Sequence, residues 1–263
     1  MNVLITGGGC REPIDGVRCV TNMSTGRTAA QIADRFAAAG AQVTALLAVQ
    51  SQLPESAPLQ ENTRQPETGR SGSPLLRLFR YETGAELAAR MEKELTSGAY
   101  DAVIHAAAVS DFRPAVITVN GESYPAGKNA GKIPSGSRLS VTFEPAPKIT
   151  VRLRTWAAAG NPGGKTTIVC FKLTDGADST ERLRAAAVLF GEDTADYVVS
   201  NDLSEMKDSG HKFALLGRSS ADGELPVTIR TGTTTEELAE SLLMLIRQQY
   251  CACAKNSGTA GPA

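Results

Sequence analysis

The chain has 263 residues, 41% of them hydrophobic and 21% charged, with a formal net charge of -1. A sizeable core can be buried from this composition, and the balanced charge gives no bulk attraction to nucleic acid or to an anionic membrane. No apolar run approaches the roughly 20 residues that a spanning helix needs, and Met1-Asn2-Val3-Leu4-Ile5-Thr6 opens straight into strand-like residues without a leader pattern, so a cytoplasmic enzyme is expected.

Residues 3–6 read as a short buried strand that Gly7-Gly8-Gly9 breaks. A helix is predicted from about 24 to 39, with Ala29, Ile32, Ala33, Phe36 and Ala37 at helical spacing, Ser24 or Thr25 as N-cap and Gly40 as the stop. Residues 42–49 form the second strand, which makes a βαβ unit and predicts a parallel sheet. Residues 51–73 are rich in Pro, Ser, Gly, Glu and Gln and read as a mobile surface insertion. Residues 75–81 return to strand, 85–95 to helix, and 102–107 to a buried strand.

Residues 113–138 form a second irregular segment, with Lys128 and Lys132 among glycines. Composition leaves a functional flap and a plain disordered loop both open there. Beyond it, strands are predicted at 139–143, 166–171 and 197–200, and helices at 147–158 and 181–189. A late β-pair at 212–216 and 227–230 surrounds Ala221-Asp222-Gly223. Residues 234–249 form an amphipathic helix opened by a Thr234–Glu237 capping box. The expected fold class is therefore α/β: a Rossmann-like, doubly wound, mostly parallel sheet with an extended flap and a late β-pair. One nucleotide-binding domain should cover 1–254, followed by a disordered tail at 255–263.

Five cysteines without a CxxC pair fit reduced thiols, and Cys251-Ala252-Cys253 falls in what reads as a fraying tail. With only His105 and His211 and no Cys/His cluster, no protein-held metal site is expected. His211 reads as a surface histidine.

Two glycine-rich pieces carry the chemistry. Gly7, Gly8 and Gly9 close the first strand, where ligands of open α/β sheets bind. Without Cβ atoms, backbone N–H groups there can approach an anion. Asn22-Met23-Ser24-Thr25-Gly26-Arg27 then offers hydroxyls, free N–H groups, a positive helix end and a guanidinium at one helix start. Together they read as a phosphate site. They are neither the G-x-G-x-x-G dinucleotide pattern nor a P-loop. Asn22 adds an amide that donates and accepts at once.

An ordered series of motifs runs from Val3 to Leu216. Ile5-Thr6-Gly7-Gly8-Gly9-Cys10-Arg11-Glu12-Pro13-Ile14-Asp15-Gly16-Val17-Arg18 comes first, followed by Thr21-Asn22-Met23-Ser24-Thr25-Gly26-Arg27. Ala106-Ala107-Ala108-Val109-Ser110-Asp111-Phe112, Lys132-Ile133-Pro134-Ser135 and Ala146-Pro147-Lys148-Ile149 come next. Phe171-Lys172-Leu173 and Val199-Ser200-Asn201-Asp202-Leu203 complete the series. In this order they resemble the phosphopantothenoylcysteine synthetases of coenzyme A synthesis.

The resemblance implies a ligase that joins 4′-phosphopantothenate to L-cysteine through an acyl-nucleotidyl intermediate, releasing pyrophosphate and then a nucleoside monophosphate. CTP is the implied triphosphate, with ATP as the alternative, and Mg²⁺ accompanies it. By the same resemblance, Asn22 holds the acyl intermediate and Lys132 is the flap lysine, with Lys128 as its rival. Ala106, Ala107, Ala108 and Asp111 line the ligand site. Ser24 and Gly26 meet the triphosphate, and Phe171 and Asn201 lie on the base or ribose side. A homodimer whose two chains build each site is expected. No flavin-dependent decarboxylase segment stands ahead of Val3, so synthetase activity alone is expected.

Two rival readings differ in class. A short-chain dehydrogenase acting on NADP(H) would use Ser110, Tyr124 and Lys128. That chemistry needs Tyr and Lys on one helix face, and Pro125 and Gly127 lie between them. A non-catalytic nucleotide-binding protein would need the phosphate site but neither Asn22 nor Lys132.

Overall fold

The computed structural model describes residues 1–57, 75–134, 136–191, 194–206, 210–219 and 225–256. The chain opens with strand β1 (Asn2–Gly9), a short hairpin of β2 (Arg11–Pro13) and β3 (Cys19–Thr21), helix α1 (Arg27–Ala38) and strand β4 (Gln42–Ala48). Strand β5 (Leu76–Tyr81), helix α2 (Gly84–Ser97) and strand β6 (Ala102–Ala108) follow. Three strands, β7 (Phe112–Val119), β8 (Glu122–Pro125) and β9 (Leu139–Pro145), come next. A 3₁₀ turn (Thr150–Arg152) leads into α3 (Leu153–Gly160), then β10 (Thr167–Thr174), α4 (Ser179–Phe190) and β11 (Tyr197–Asp202). Strands β12 (Phe213–Gly217) and β13 (Val227–Gly232) and helix α5 (Thr235–Asn256) complete it.

The main sheet has the order β13-β12-β11-β10-β6-β1-β4-β5. The six strands from β11 across to β5 pair in parallel, and β12 and β13 add antiparallel at one edge. From β1 the order runs outward both ways, so the switch in winding direction falls between β1 and β6. Helices cover both faces. On one, Ile32, Ala33 and Phe36 of α1 meet Leu238, Leu242 and Ile246 of α5 over the sheet. On the other, Leu87, Met91 and Leu95 of α2 join Leu153 and Trp156 of α3 and Phe190 of α4. The expected doubly wound, mostly parallel sheet with a late β-pair is what the chain forms.

Several local expectations are corrected. The glycines do not break the first strand. β1 continues through Gly9, because Gly7, Gly8 and Gly9 stay in register with Ala106, Ala107 and Ala108 of β6. Helix α1 starts at Arg27 and not at Ser24. Gly26 sits at its N-cap with φ 69°, a left-handed conformation that keeps the preceding residues out of the helix; it has no side chain to cap with, and the Thr25 hydroxyl accepts from the Arg27 N–H at 3.4 Å. The segment 113–138 is not irregular throughout. Strands β7 and β8 form a hairpin, and β7 pairs with β9 into a separate three-stranded antiparallel sheet.

The final helix runs on to Asn256, so Cys251 and its neighbours are helical and not frayed. Thr234 and Glu237 make the expected reciprocal cap at 3.1 and 3.2 Å. The proposed insertion at 51–73 from residue 58 onward, the turn at 221–223 and the tail from 257 lie outside the described residues.

Candidate functional site

The site is built where β1 and β6 end side by side. In an open α/β sheet the crevice beyond the strand ends at the switch point is where ligands bind. Here it is floored by Gly7, Gly8, Gly9, Ala106, Ala107 and Ala108, six residues with little or no side chain. Packing demands this. A Cβ on Gly7 would sit 2.2 Å from the Ala29 Cβ of α1, and one on Gly9 would sit 2.2 Å from the Asn22 carbonyl oxygen. Gly8 has φ 91°, and its absent Cβ leaves room for the buried Ser51 hydroxyl. The carbonyl oxygens of Gly7 and Gly8 accept from the Tyr81 hydroxyl at 3.0 and 3.2 Å, and that of Gly9 accepts from Gln50 Nε2 at 2.6 Å.

Asn22 follows β3 and is exposed at this floor. Its Nδ2 donates to the carbonyl oxygens of Ala108 at 3.3 Å and Val109 at 3.2 Å. Both donor hydrogens are thus used on the last residue of β6 and the one after it, and Oδ1 is the remaining group of the side chain, an acceptor. The main chain then turns, with the Ser24 N–H donating to the Asn22 carbonyl at 2.9 Å, and enters α1 through Gly26 and the exposed Arg27. The sequence-predicted anion residues Ser24, Gly26 and Arg27 therefore stand at an uncapped helix start next to Asn22.

Lys132 is exposed and has no hydrogen bond or ion pair among the described residues. Lys128 differs. Its Nζ lies 2.6 Å from Glu82 and 3.4 Å from Glu86. The hydrogen bond to Glu82, outweighing partial desolvation, holds its ammonium above the ordinary lysine range. Asp111 is exposed and forms an ion pair with Lys148. Tyr124, the tyrosine of the dehydrogenase reading, lies on strand β8 and not on a helix, with its hydroxyl on Glu122.

The far side of the crevice is formed by the ends of β10 and β11. Phe171 is half-buried, opposite Val199 in register. Asn201 is buried and donates from Nδ2 to the Lys212 carbonyl at 2.9 Å, with His211 Nε2 at 3.4 Å. His211 is therefore half-buried and not a simple surface residue. Burial, and then the nearby Arg27 charge, push its pKa down.

Two acids missed in the sequence organise this neighbourhood. Asp202 is fully buried and accepts from the Thr174 and Ser204 hydroxyls at 2.7 and 2.5 Å and from the N–H groups of Gly176, Ala177 and Ser204 at 2.9, 3.1 and 3.0 Å. The hydroxyls of Ser204 and Thr174 first, then the backbone donors, hold its carboxyl far below the usual range in spite of its burial. It ties together the turns after β10 and β11. Asp15 plays a similar part after β2. Their signal was present, since both acids stand inside the quoted motifs with turn formers beside them, but donor geometry is invisible in a sequence. Cys10 is a buried thiol that burial, reinforced by Glu12, pushes up to about 12, which disqualifies it as a nucleophile.

The model of the DNA/pantothenate metabolism flavoprotein C-terminal domain family matches residues 1–249. The chain belongs to this family. Its motif-based resemblance is borne out at that level. Among curated proteins it is similar to the coenzyme A biosynthesis bifunctional protein CoaBC of Thermococcus kodakarensis, 33% identical over 240 residues. The match takes in 91% of this chain and 49% of that protein, so the chain spans about half the length of its relative.

Solved structures share the fold. The DNA/pantothenate metabolism flavoprotein of Streptococcus pneumoniae superposes with a TM-score of 0.73 at 23% identity, covering 94% of this chain and 99% of that one. A Cab2 mutant in complex with phosphopantothenate-cysteine gives 0.67 at 19% identity, covering 95% and 88%. No helix among the described residues is long and apolar enough to cross a membrane.

Proposed function

We propose that this chain is a phosphopantothenate–cysteine ligase of coenzyme A biosynthesis. The observation that carries the reading is Asn22, pinned by its amide to the end of β6 with Oδ1 as its remaining acceptor, beside an uncapped helix start. The 33%-identical CoaBC relative and the phosphopantothenate-cysteine bound by Cab2 support the choice of substrates.

In this reading a carboxylate oxygen of 4′-phosphopantothenate attacks the α-phosphorus of the triphosphate and pyrophosphate leaves. The cysteine amine then attacks the acyl carbon, the nucleoside monophosphate leaves, and the amine loses a proton. Ser24, Gly26 and Arg27 meet the triphosphate through the Ser24 hydroxyl, the Gly26 N–H and the Arg27 guanidinium. Asn22 accepts from the amide N–H or hydroxyl of the pantothenoyl group and keeps the acyl carbon in line for the amine. Lys132, without a partner among the described residues, neutralises charge as the anhydride forms and breaks. The glycine and alanine floor with Asp111 lines the acyl side, and Phe171 and Asn201 the base side.

CTP is the proposed triphosphate. The Nδ2 of Asn201 is spent on Lys212, which leaves an acceptor for the exocyclic amino group of cytosine; adenine carries one as well, so ATP is the competitor to test. Asp202 has five donors and Asp111 is paired with Lys148, so neither acid at the strand ends is uncommitted. Mg²⁺ fits this site as an ion carried on triphosphate and water oxygens, where it would neutralise phosphate charge. A homodimer, and a reducing cytoplasmic setting in keeping with the free thiols of Cys10, Cys19, Cys170 and Cys251, belong to the same reading.

Pyrophosphate release with 4′-phosphopantothenate, cysteine and either CTP or ATP tests it. Release that depends on 4′-phosphopantothenate, with phosphopantothenoylcysteine as the product, is expected. No release with either nucleotide overturns the reading.

A further inference from the structure

The Asp15 side chain is fully buried, whereas its partner Arg18 is 40% exposed. Four donors converge on it. The N–H groups of Val17 and Arg18 donate to Oδ1 at 2.8 and 2.7 Å. The Arg18 guanidinium reaches Oδ2 at 2.5 Å, and the Ile133 N–H reaches the same oxygen at 3.5 Å. Arg18 also donates through Nη2 to the Ile133 carbonyl at 3.4 Å. One ion pair therefore grips both the N–H and the C=O of Ile133, the residue next to Lys132. Two backbone bonds flank this grip: Gly16 N–H to Ala130 O at 3.0 Å, and Gly127 N–H to Ile14 O at 3.1 Å.

The same hairpin runs from Arg18 through β3 directly into Asn22, whose amide is fixed on Ala108 and Val109. Asn22 and Lys132 lie far apart in sequence, yet one short, tightly bonded piece of chain holds both. A buried carboxylate is costly unless its donors stay in place, so the arrangement resists drift.

We infer that Asp15 is a positioning residue: through Arg18 and the Ile133 peptide it sets where the flap lysine stands relative to Asn22. This rests on the ligase reading for its kinetic consequence but not for its structural one. Misplacing a reacting or stabilising group by about 1 Å costs on the order of 10²-fold in rate. Asp15→Asn keeps an acceptor for Val17 and Arg18 and weakens the hold on Ile133.

The test is a kinetic cycle read together with amide hydrogen exchange. In the otherwise unchanged protein, Asp15→Asn should lower kcat for product formation by roughly ten-fold or more. In a Lys132→Ala background the same substitution should cost less than about two-fold, because a residue that acts through Lys132 has nothing left to position. Exchange at the Ile133 and Gly16 amides should quicken by about ten-fold or more in Asp15→Asn.

An equal loss in both backgrounds, or a wild-type rate for Asp15→Asn, overturns the inference. Unchanged exchange at Ile133 overturns it whatever the enzyme's activity. An inactive wild-type protein with quickened exchange in Asp15→Asn sinks the ligase reading and keeps the clamp. If Asp15→Asn does not fold, Asp15→Glu, which keeps the charge and shifts it by one methylene, is carried through the same cycle.

Discussion

Lys128 Nζ lies 2.6 Å from Glu82 Oε2, and that contact divides the labour between two lysines four residues apart. Glu82 and Glu86 flank the start of α2, so the charge of Lys128 is spent on holding the flap to a helix. Lys132 has no such partner among the described residues. Lys128→Ala should leave the ligation rate within about two-fold and, as a half-exposed pair screened by water, cost on the order of 1 kcal/mol or less in a thermal melt. Lys132→Ala should slow product formation by about 10²-fold. The opposite order of effects in a steady-state assay would transfer the role to Lys128.

Asn22→Ala removes an acceptor at the acyl group together with the two hydrogen bonds to Ala108 and Val109. Acyl-nucleotide should still form and should accumulate, while phosphopantothenoylcysteine formation drops by roughly 10²–10³-fold. Mass spectrometry of a quenched single turnover reads both species. Product at the wild-type rate would remove Asn22 from the mechanism.

The main sheet was legible because its strands are short apolar runs separated by helices with 3.6-residue periodicity, such as Ile32, Ala33 and Phe36 in α1. In the sheet of β7, β8 and β9, only β9 was, as the strand at 139–143. Pro114 interrupts the alternation of β7, a register shift falls between Pro114 and Val116, and the residues of this sheet are mostly exposed, so hydrophobic period carries little signal. Asn22, Ser24 and Gly26 could be grouped from the sequence because they are neighbours in it. Lys132 could be joined to them only through resemblance. The physical link is Asp15 on Ile133, a contact across 118 positions that no local pattern encodes.

The glycine floor should prove intolerant for steric reasons. Gly7→Ala places a methyl 2.2 Å from the Ala29 Cβ, inside the closest packing of α1 on β1. The expected loss is about 1–3 kcal/mol, measured by urea unfolding. Gly40→Ala meets nothing within 4 Å but must adopt φ 83°, and should cost roughly 1–2 kcal/mol through backbone conformation alone. If Gly7→Ala is as stable as the parent, α1 moves more freely than its packing implies.

His105 makes stability depend on pH. It is buried beneath the floor, with Nδ1 2.8 Å from the Thr6 hydroxyl, and burial lowers its pKa from 6.5 to about 4. Between those values the unfolded chain binds a proton that the folded one refuses. The contribution of neutral His105 is thus complete above pH 6.5 and is lost as pH falls towards 4, at up to roughly 1.4 kcal/mol per unit. His105→Gln, if it folds, should flatten this part of the profile. Parallel unfolding curves at pH 7 and pH 5 decide it, and equal slopes for both proteins would show that His105 does not titrate this way.

Helix α5 closes the face of the sheet that α1 begins, with Leu238, Leu242 and Ile246 against Ile32 and Phe36, and with Arg35 on Glu240 and Arg247 on the Ala39 carbonyl. During synthesis on the ribosome, α1 emerges long before its cover does. A growing chain must therefore carry Ile32 and Phe36 without their final partners until α5 has been made. The nascent protein is open to chaperones and to misassociation over that interval, and the core seals only once the last turns of α5 leave the exit tunnel.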